Sequence, residues 1–259
     1  MLAPLLLSIL LSTLLQFVLW RYATRIQNAG WVDFGWSAGM VMAAVVMLWS
    51  SDFSWRALLV SLLLFLWAGR LASHLLLDRL WGNAKEDTRY QNLRRHWGET
   101  ADRNFLGLFL GQALLVGLFM VPALVVSRRA GASPDVWDVL GLGVACLAIA
   151  GESLADRQLA RFRKDPSMKG QVCRRGMWRY SRHPNYFCEW VQWFGYVLMA
   201  VGSPLWILTL LGPIFMYVFL RFVTGIPHTE RQSLKSRGDA YRDYQQTTPV
   251  FFPWIPHNS

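Results

Sequence analysis

Charged side chains are scarce in this chain. Asp, Glu, Lys and Arg make up 16% of its 259 residues, against about 25% in ordinary soluble domains, which excludes a soluble domain with a normal surface. Acidic residues are the scarcer kind: 16 against 26 Lys and Arg, a formal net charge of +10. Cysteine occurs only as Cys146, Cys173 and Cys188, with no CxxC pair and no metal-ligand spacing, so neither a disulfide framework nor a metal site is expected. The chain also lacks GxGxxG, the P-loop, HExxH and GxSxG. That removes the Rossmann unit, the Walker-type NTPases, the zincins and the α/β-hydrolases. No internal repeat and no low-complexity linker is evident.

Apolar residues, in contrast, make up 54% of the chain. They gather in runs of about 20 residues, the length that crosses a bilayer core of about 30 Å. Seven spans can be drawn, roughly 2–20, 31–49, 55–77, 105–127, 136–155, 186–203 and 205–223. The expected fold is therefore all-α: a polytopic integral membrane helical bundle, read as a single domain over 1–259. The first span lacks a charged leader and a small-residue cleavage site, and is expected to be retained. Between the spans lie two polar loops, 78–104 and 157–185, and a polar, partly helical tail, 224–259. The tail carries the aromatic segment Phe251-Phe252-Pro253-Trp254-Ile255-Pro256, expected to anchor at a membrane interface.

The basic residues follow this topology. All Lys and Arg except Arg56, Arg70, Arg128 and Arg129 fall on one side of the drawn spans. By the positive-inside rule that side is cytoplasmic, with the N-terminus out and the C-terminus in. The charge is thus explained by topology and anionic lipid, and nucleic acid is not an expected partner.

Several polar groups stand where they are costly. Glu152 and Asp156 share a helix face at the end of the fifth span, Asn185, Glu189 and Trp193 share one on the sixth, and Arg70 and His74 share one on the third. Asp33 opens the second span. Ion pairing between helices accounts for any single pair, but ionisable groups inside a membrane mark functional sites by default. In the loops, Lys85-Glu86-Asp87-Thr88-Arg89-Tyr90 begins an amphipathic helix running to Trp97. Asp156 and Arg163, seven apart, set a carboxylate and a guanidinium on one face, suited to a ribose hydroxyl and a phosphate. The densest polar run is Gly176-Met177-Trp178-Arg179-Tyr180-Ser181-Arg182-His183-Pro184-Asn185-Tyr186.

That run, continued through Phe187-Cys188-Glu189 and Trp193-Phe194-Gly195, resembles the C-terminal signature of the membrane steroid 5α-reductase superfamily, in particular a bacterial branch whose substrates are largely unassigned. Asn28 to Trp36, Lys85 to Gln91 and Asp156 to Phe162 resemble the same branch. The resemblance implies a seven-helix fold binding NADPH from the cytoplasmic side and reducing a carbon–carbon double bond conjugated to a carbonyl. It implies that Asn185 and Glu189 hold the nicotinamide end. Asp156 and Arg163 would serve the ribose and phosphate, Tyr180 and Trp193 would line the pocket, and Arg89 would match loosely the arginines that close over the phosphates. Arg179, Arg182, His183 and Tyr186, within the signature, and Arg221, after the last span, complete the implied cofactor set. Glu189, His74 and Asp33 are the candidates for catalysis, with His74 or a protonated Asp33 as donor to the carbonyl oxygen. The chain departs from the pattern at Cys188, where glycine is usual, and in lacking the Gln-Glu pair and tyrosine that grip a steroid ketone.

The expected enzyme is then an NADPH-dependent membrane oxidoreductase acting on a steroid-like or other lipid enone, a monomer in a bacterial inner membrane. The Arg-His-Pro-x-Tyr element also resembles S-adenosylmethionine-dependent methyltransferases of the isoprenylcysteine carboxyl and phospholipid type. A non-catalytic lipid-binding protein is the remaining alternative. The arginine density from Arg157 to Arg182 favours a phosphorylated dinucleotide over a sulfonium.

Overall fold

Apolar periodicity without strand signals predicts helices throughout, and a computed structural model of the chain contains no strand among the described residues. The structure describes residues 1–80 and 85–256, without the side chains of Asp78 and Arg79. Residues 81–84 of the expected loop 78–104 and 257–259 of the expected tail lie outside the described residues. Among the described residues, six helical stretches are long and apolar enough to cross a membrane: Leu2–Ile26, Trp31–Ser50, Trp55–Leu77, Thr88–Ser127, Val136–Lys164 and Trp206–Arg237. The protein is an all-α, multi-pass membrane protein. The expected sixth span, 186–203, is a helix of only 16 residues, Pro184–Met199, short of the about 20 that cross the core unaided.

The chain divides into two compact units, Met1–Ser133 with Ala200–Leu211, and Pro134–Met199 with Gly212–Ser259. The first unit is built on α1 (Leu2–Ile26), α2 (Trp31–Ser50), α3 (Trp55–Leu64), the short α4 (Arg70–His74), α5 (Thr88–Trp97) and α6 (Ala101–Ser127). Helix α1 is inverted relative to a soluble helix. Pro4, Ser8, Ser12 and Gln16 are buried, while Leu6, Leu10, Leu14 and Val18 are exposed. Leucine gains nothing by leaving lipid, so small and polar groups take the interface and let backbones approach. A Cβ on Gly35 of α2 would lie 2.5 Å from Gln16 Oε1, and one on Gly117 of α6 would lie 2.5 Å from Ile9. Helix α3 runs into α4 through a π-helical turn, Phe65–Gly69, which buries Trp67 edge-on to Trp36 at 5.6 Å. Arg56, one of the three cations expected on the sparse side, is buried and donates to the carbonyls of Arg129, Ala130 and Gly131 at 2.9–3.1 Å. It ties down the loop that follows α6.

The second unit contains α7 (Val136–Lys164), α8 (Pro184–Met199), most of α9 (Leu211–Val218), α10 (Ile226–Arg237) and α11 (Asp239–Thr247). A capping box formed by Asp135 and Asp138 starts α7. Leu140, Leu147 and Leu154 are exposed along one stripe of α7, and Gly141, Ala145, Ala148, Glu152 and Ala155 are buried along another. The buried stripe packs on α8 at very short range: a Cβ on Gly141 would lie 2.4 Å from the Gly195 carbonyl oxygen. Glycine and alanine thus bring together two helices that carry Glu152 and Asp156 on α7 and Glu189 on α8.

Candidate functional site

The close α7–α8 contact decides which polar groups meet. Asn185, in the first turn of α8, donates from Nδ2 to Asp156 Oδ1 of α7 at 3.1 Å. One turn along each helix stand Glu152, buried on α7, and Glu189, half-buried on α8. Gly151 leaves room beside Cys188, whose Sγ would be 2.9 Å from a Cβ there. Small Cys188 at the usual glycine position therefore still permits the contact. Deeper on the same face, Trp193 is fully buried and stacks on Tyr196 at 5.3 Å. Asp156 and Asn185, expected to serve different parts of one cofactor, are thus joined across facing helices. Arg163, two turns beyond Asp156, is exposed, as are Arg179 and Tyr180.

Arg182 and His183 sit in a second cluster, around a residue the sequence reading did not single out. Glu230 of α10 accepts from Arg182 Nε at 3.0 Å and Arg182 Nη2 at 3.1 Å. It also accepts from Tyr241 at 2.7 Å and from Gln245, and His183 Nε2 lies 2.9 Å from its Oε1. Arg182 Nη1 reaches the carbonyls of Gln245 and Thr248 at 2.9 and 2.7 Å. The backbone completes the seam: Arg182 N donates to Pro249 O and Trp254 N to Tyr180 O, both at 2.9 Å, and Ser181 Oγ donates to Phe251 O at 2.9 Å. Phe251 is buried, while Trp254 and Ile255 are 69% and 72% exposed, which suits the expected interfacial anchor.

Electrostatics in this cluster follow from burial and contacts. Burial alone would raise the Glu230 carboxyl, but hydrogen bonds from His183, Arg182, Tyr241 and Gln245 hold it well below the usual range. Burial lowers His183 below its ordinary value, with Glu230 working in the opposite direction. Glu230 therefore contributes fully above the unfolded-glutamate value of about 4.3 and is lost only at still lower pH. His183 is different: as pH falls through about 6.5 the unfolded chain takes up a proton that the native imidazole resists. Stability should thus decline from pH 7 to pH 5 by up to about 1.4 kcal/mol per pH unit from this group. His183→Gln, whose amide can also donate to Glu230, should flatten that slope in thermal melts.

Of the other candidates, Arg221 belongs to the second unit and stacks over Phe222 at 5.3 Å. Tyr186 lies parallel to the His183 ring at 5.5 Å. Asp33, His74 and Arg89 belong to the first unit. Asp33 accepts from Arg89 Nη2 at 2.9 Å and from the Tyr90 hydroxyl at 2.7 Å, so both of its oxygens act as acceptors, where the sequence reading gave it a donor's part. Burial by itself would lower Arg89, yet Asp33, Tyr90 and Asp87 raise it above its ordinary value. His74 is on the exposed surface of its unit. The amphipathic helix expected from residue 85 is α5, capped by Asp87. Arg94 holds Glu86 at 2.9 Å and Asp102 at 3.2 Å, and Glu86 also accepts from Ala29 N at 2.8 Å.

A cavity of about 310 Å³ opens on α7 and the following loop, lined by residues that include Arg161, Phe162, Arg175 and Gly176. Neither arginine was distinguished from its neighbours by sequence, because nine cations crowd this loop. Glu230 was missed in part because Gly238, at φ +53°, breaks the helix between it and its partners Tyr241 and Gln245. The face made by Tyr241, Tyr244 and Gln245 was the one available signal.

Among known proteins, the model of one family, described as Protein of unknown function (DUF1295), matches residues 19–248. No curated protein and no solved structure matches the chain.

Proposed function

The chain belongs to that family, and on this premise we propose that it is an NADPH-dependent membrane reductase of the steroid 5α-reductase-like kind, acting on a lipid enone. The observation that carries the reading is the Asn185–Asp156 contact with Glu189 one turn deeper. An amide and a carboxylate offer a donor and an acceptor to a carboxamide, Asp156 offers an acceptor to ribose hydroxyls, and the exposed guanidiniums of Arg163 and Arg179 offer forks for phosphates. The donor set therefore fits the dinucleotide. When bound, the nicotinamide supplies hydride to the β-carbon of the enone.

The residues of the chain orient and exclude. Asn185 and Glu189 would hold the carboxamide, the buried Trp193 and Tyr196 would keep water from it, and a donor must meet the charge that grows on the carbonyl oxygen. Arg182 and His183 act through the frame around Glu230, because their hydrogen bonds are already used there. The apolar substrate enters from the bilayer and the cofactor from the cytoplasmic face of a bacterial inner membrane, with the N-terminus outside and the protein a monomer.

One observation favours a second reading. Glu152, Asp156 and Glu189 bring three carboxylates to the α7–α8 face, a surrounding suited to the sulfonium of S-adenosylmethionine. Thermal melts of the purified protein separate the two. NADPH at 100 times its Kd should raise the melting temperature by about 5–10 °C, with NADH weaker and S-adenosylmethionine without effect. A shift with S-adenosylmethionine alone would transfer the assignment to a methyltransferase, and no shift with either would remove both.

A further inference from the structure

Glu230 has too many partners for an ordinary surface glutamate. Its Oε1 meets Arg182 Nε, His183 Nε2 and the Tyr241 hydroxyl, and its Oε2 meets Arg182 Nη2 and Gln245 Nε2. The side chains of Arg182, His183 and Glu230 are 10%, 2% and 12% exposed, so water contributes little. A carboxylate has about four lone-pair sites, and five contacts fill them.

We propose that Glu230 is a positioning residue for the entrance of α8: it sets the Arg182 guanidinium and the His183 ring, and through them the first turn that carries Asn185 and Tyr186. This rests on the cofactor reading for its functional consequence and on geometry alone for its structural one. Three contacts transmit the constraint. The His183 carbonyl accepts from Phe187 N at 3.0 Å, so the residue that Glu230 holds also closes the first turn of α8. The His183 ring lies flat on Tyr186, with an interplanar angle of 5°. Tyr186 in turn rests on the start of α10: its hydroxyl is 3.5 Å from Thr229 Oγ1, and a Cβ on Gly225 would lie 3.1 Å from its ring. The first turns of α8 and α10 thus form one assembly with Glu230 between them.

The arrangement fixes two chemical properties. Facing an ionised carboxylate, neutral His183 carries its proton on Nε2, which leaves the lone pair on Nδ1. Arg182 has Nε, Nη1 and Nη2 engaged and its charge compensated, so phosphate recognition falls to other arginines. An uncharged tie at position 230 would not do the same. Glutamine there presents an NH₂ to a ring of donors: in the Oε2 place it leaves Arg182 Nη2 and Gln245 without their acceptor, and in the Oε1 place Arg182 Nε, His183 and Tyr241.

The test is Glu230→Gln in the full-length protein in mild detergent, read by hydrogen exchange without nucleotide and by NADPH titration. Amides of residues 181–188 should exchange at least about 10-fold faster, NADPH affinity should fall about 10-fold, and the melting temperature should stay within a few degrees. Glu230→Asp, which keeps the charge, should recover most of the protection. Should Glu230→Gln fail to accumulate, Gln245→Ala removes one donor and should give about a 3-fold change in both readouts. Unchanged exchange at 181–188 overturns the proposal whatever NADPH does, as does faster exchange with unchanged NADPH affinity. Faster exchange in a protein whose wild type ignores NADPH upholds the positioning and defeats the cofactor reading.

Discussion

Glu189→Ala should weaken NADPH binding by roughly 10- to 100-fold while leaving the apo protein folded. The magnitude is that of a hydrogen bond to a charged group, about 1.5–3 kcal/mol. The direction for stability comes from the location. Glu189 is half-buried on α8, one turn from the Asn185 that reaches Asp156 of α7, and ionised groups in a low-dielectric setting seldom add net stability. Removing one should leave the melting temperature unchanged or slightly higher. Titration calorimetry and melting on the same preparation decide it. Unaltered NADPH affinity, or a protein that unfolds on losing the carboxylate, would mean that Glu189 belongs to the scaffold.

The second large effect is structural. Gly141→Val should prevent α7 and α8 from packing, seen as loss of the folded species in size-exclusion chromatography and melting. A Cβ at this position meets the Gly195 carbonyl oxygen at 2.4 Å, Met199 Cγ at 2.5 Å and Met199 N at 2.9 Å. Overfilled cores usually lose about 1–3 kcal/mol by shifting side chains. Here two of the three atoms are backbone, so the relief must come from moving a helix, and the effect should exceed that range. Gly143→Val, two residues on, where a Cβ meets nothing within 4 Å, should be tolerated and serves as the control.

The two substitutions also show what sequence reveals and what it hides. The helical, membrane-embedded class was legible because α1, α2 and α6 repeat the length and apolarity that a bilayer demands. The shared face of Asn185 and Glu189 was legible because four-residue spacing is a property of one helix. That Asp156 faces Asn185 was not, since it depends on Gly141, Ala145 and Gly195 letting two helices approach, and close approach has no periodic signature. The shortness of α8 escaped for a related reason. Ala200 and Val201 continue the apolar pattern, but the chain turns at Ala200 and Gly202 (φ +90°) instead of extending the helix. Glu230 was hidden because Arg182 and His183 lie 48 and 47 residues upstream and Tyr241 and Gln245 lie on the next helix, and a polar tail reads as solvated until its contacts are known.

The seam joining residues 180–182 to residues 249–254 has a consequence for biogenesis. The hydrogen bonds from Arg182 N to Pro249 O and from Trp254 N to Tyr180 O cannot form until the chain past Trp254 has cleared the ribosomal exit tunnel. By then every membrane-spanning helix has already reached the translocon. Insertion and maturation are therefore separate events, and a chain truncated after residue 240 and released from the ribosome should still insert its apolar helices, with its signature loop unsecured.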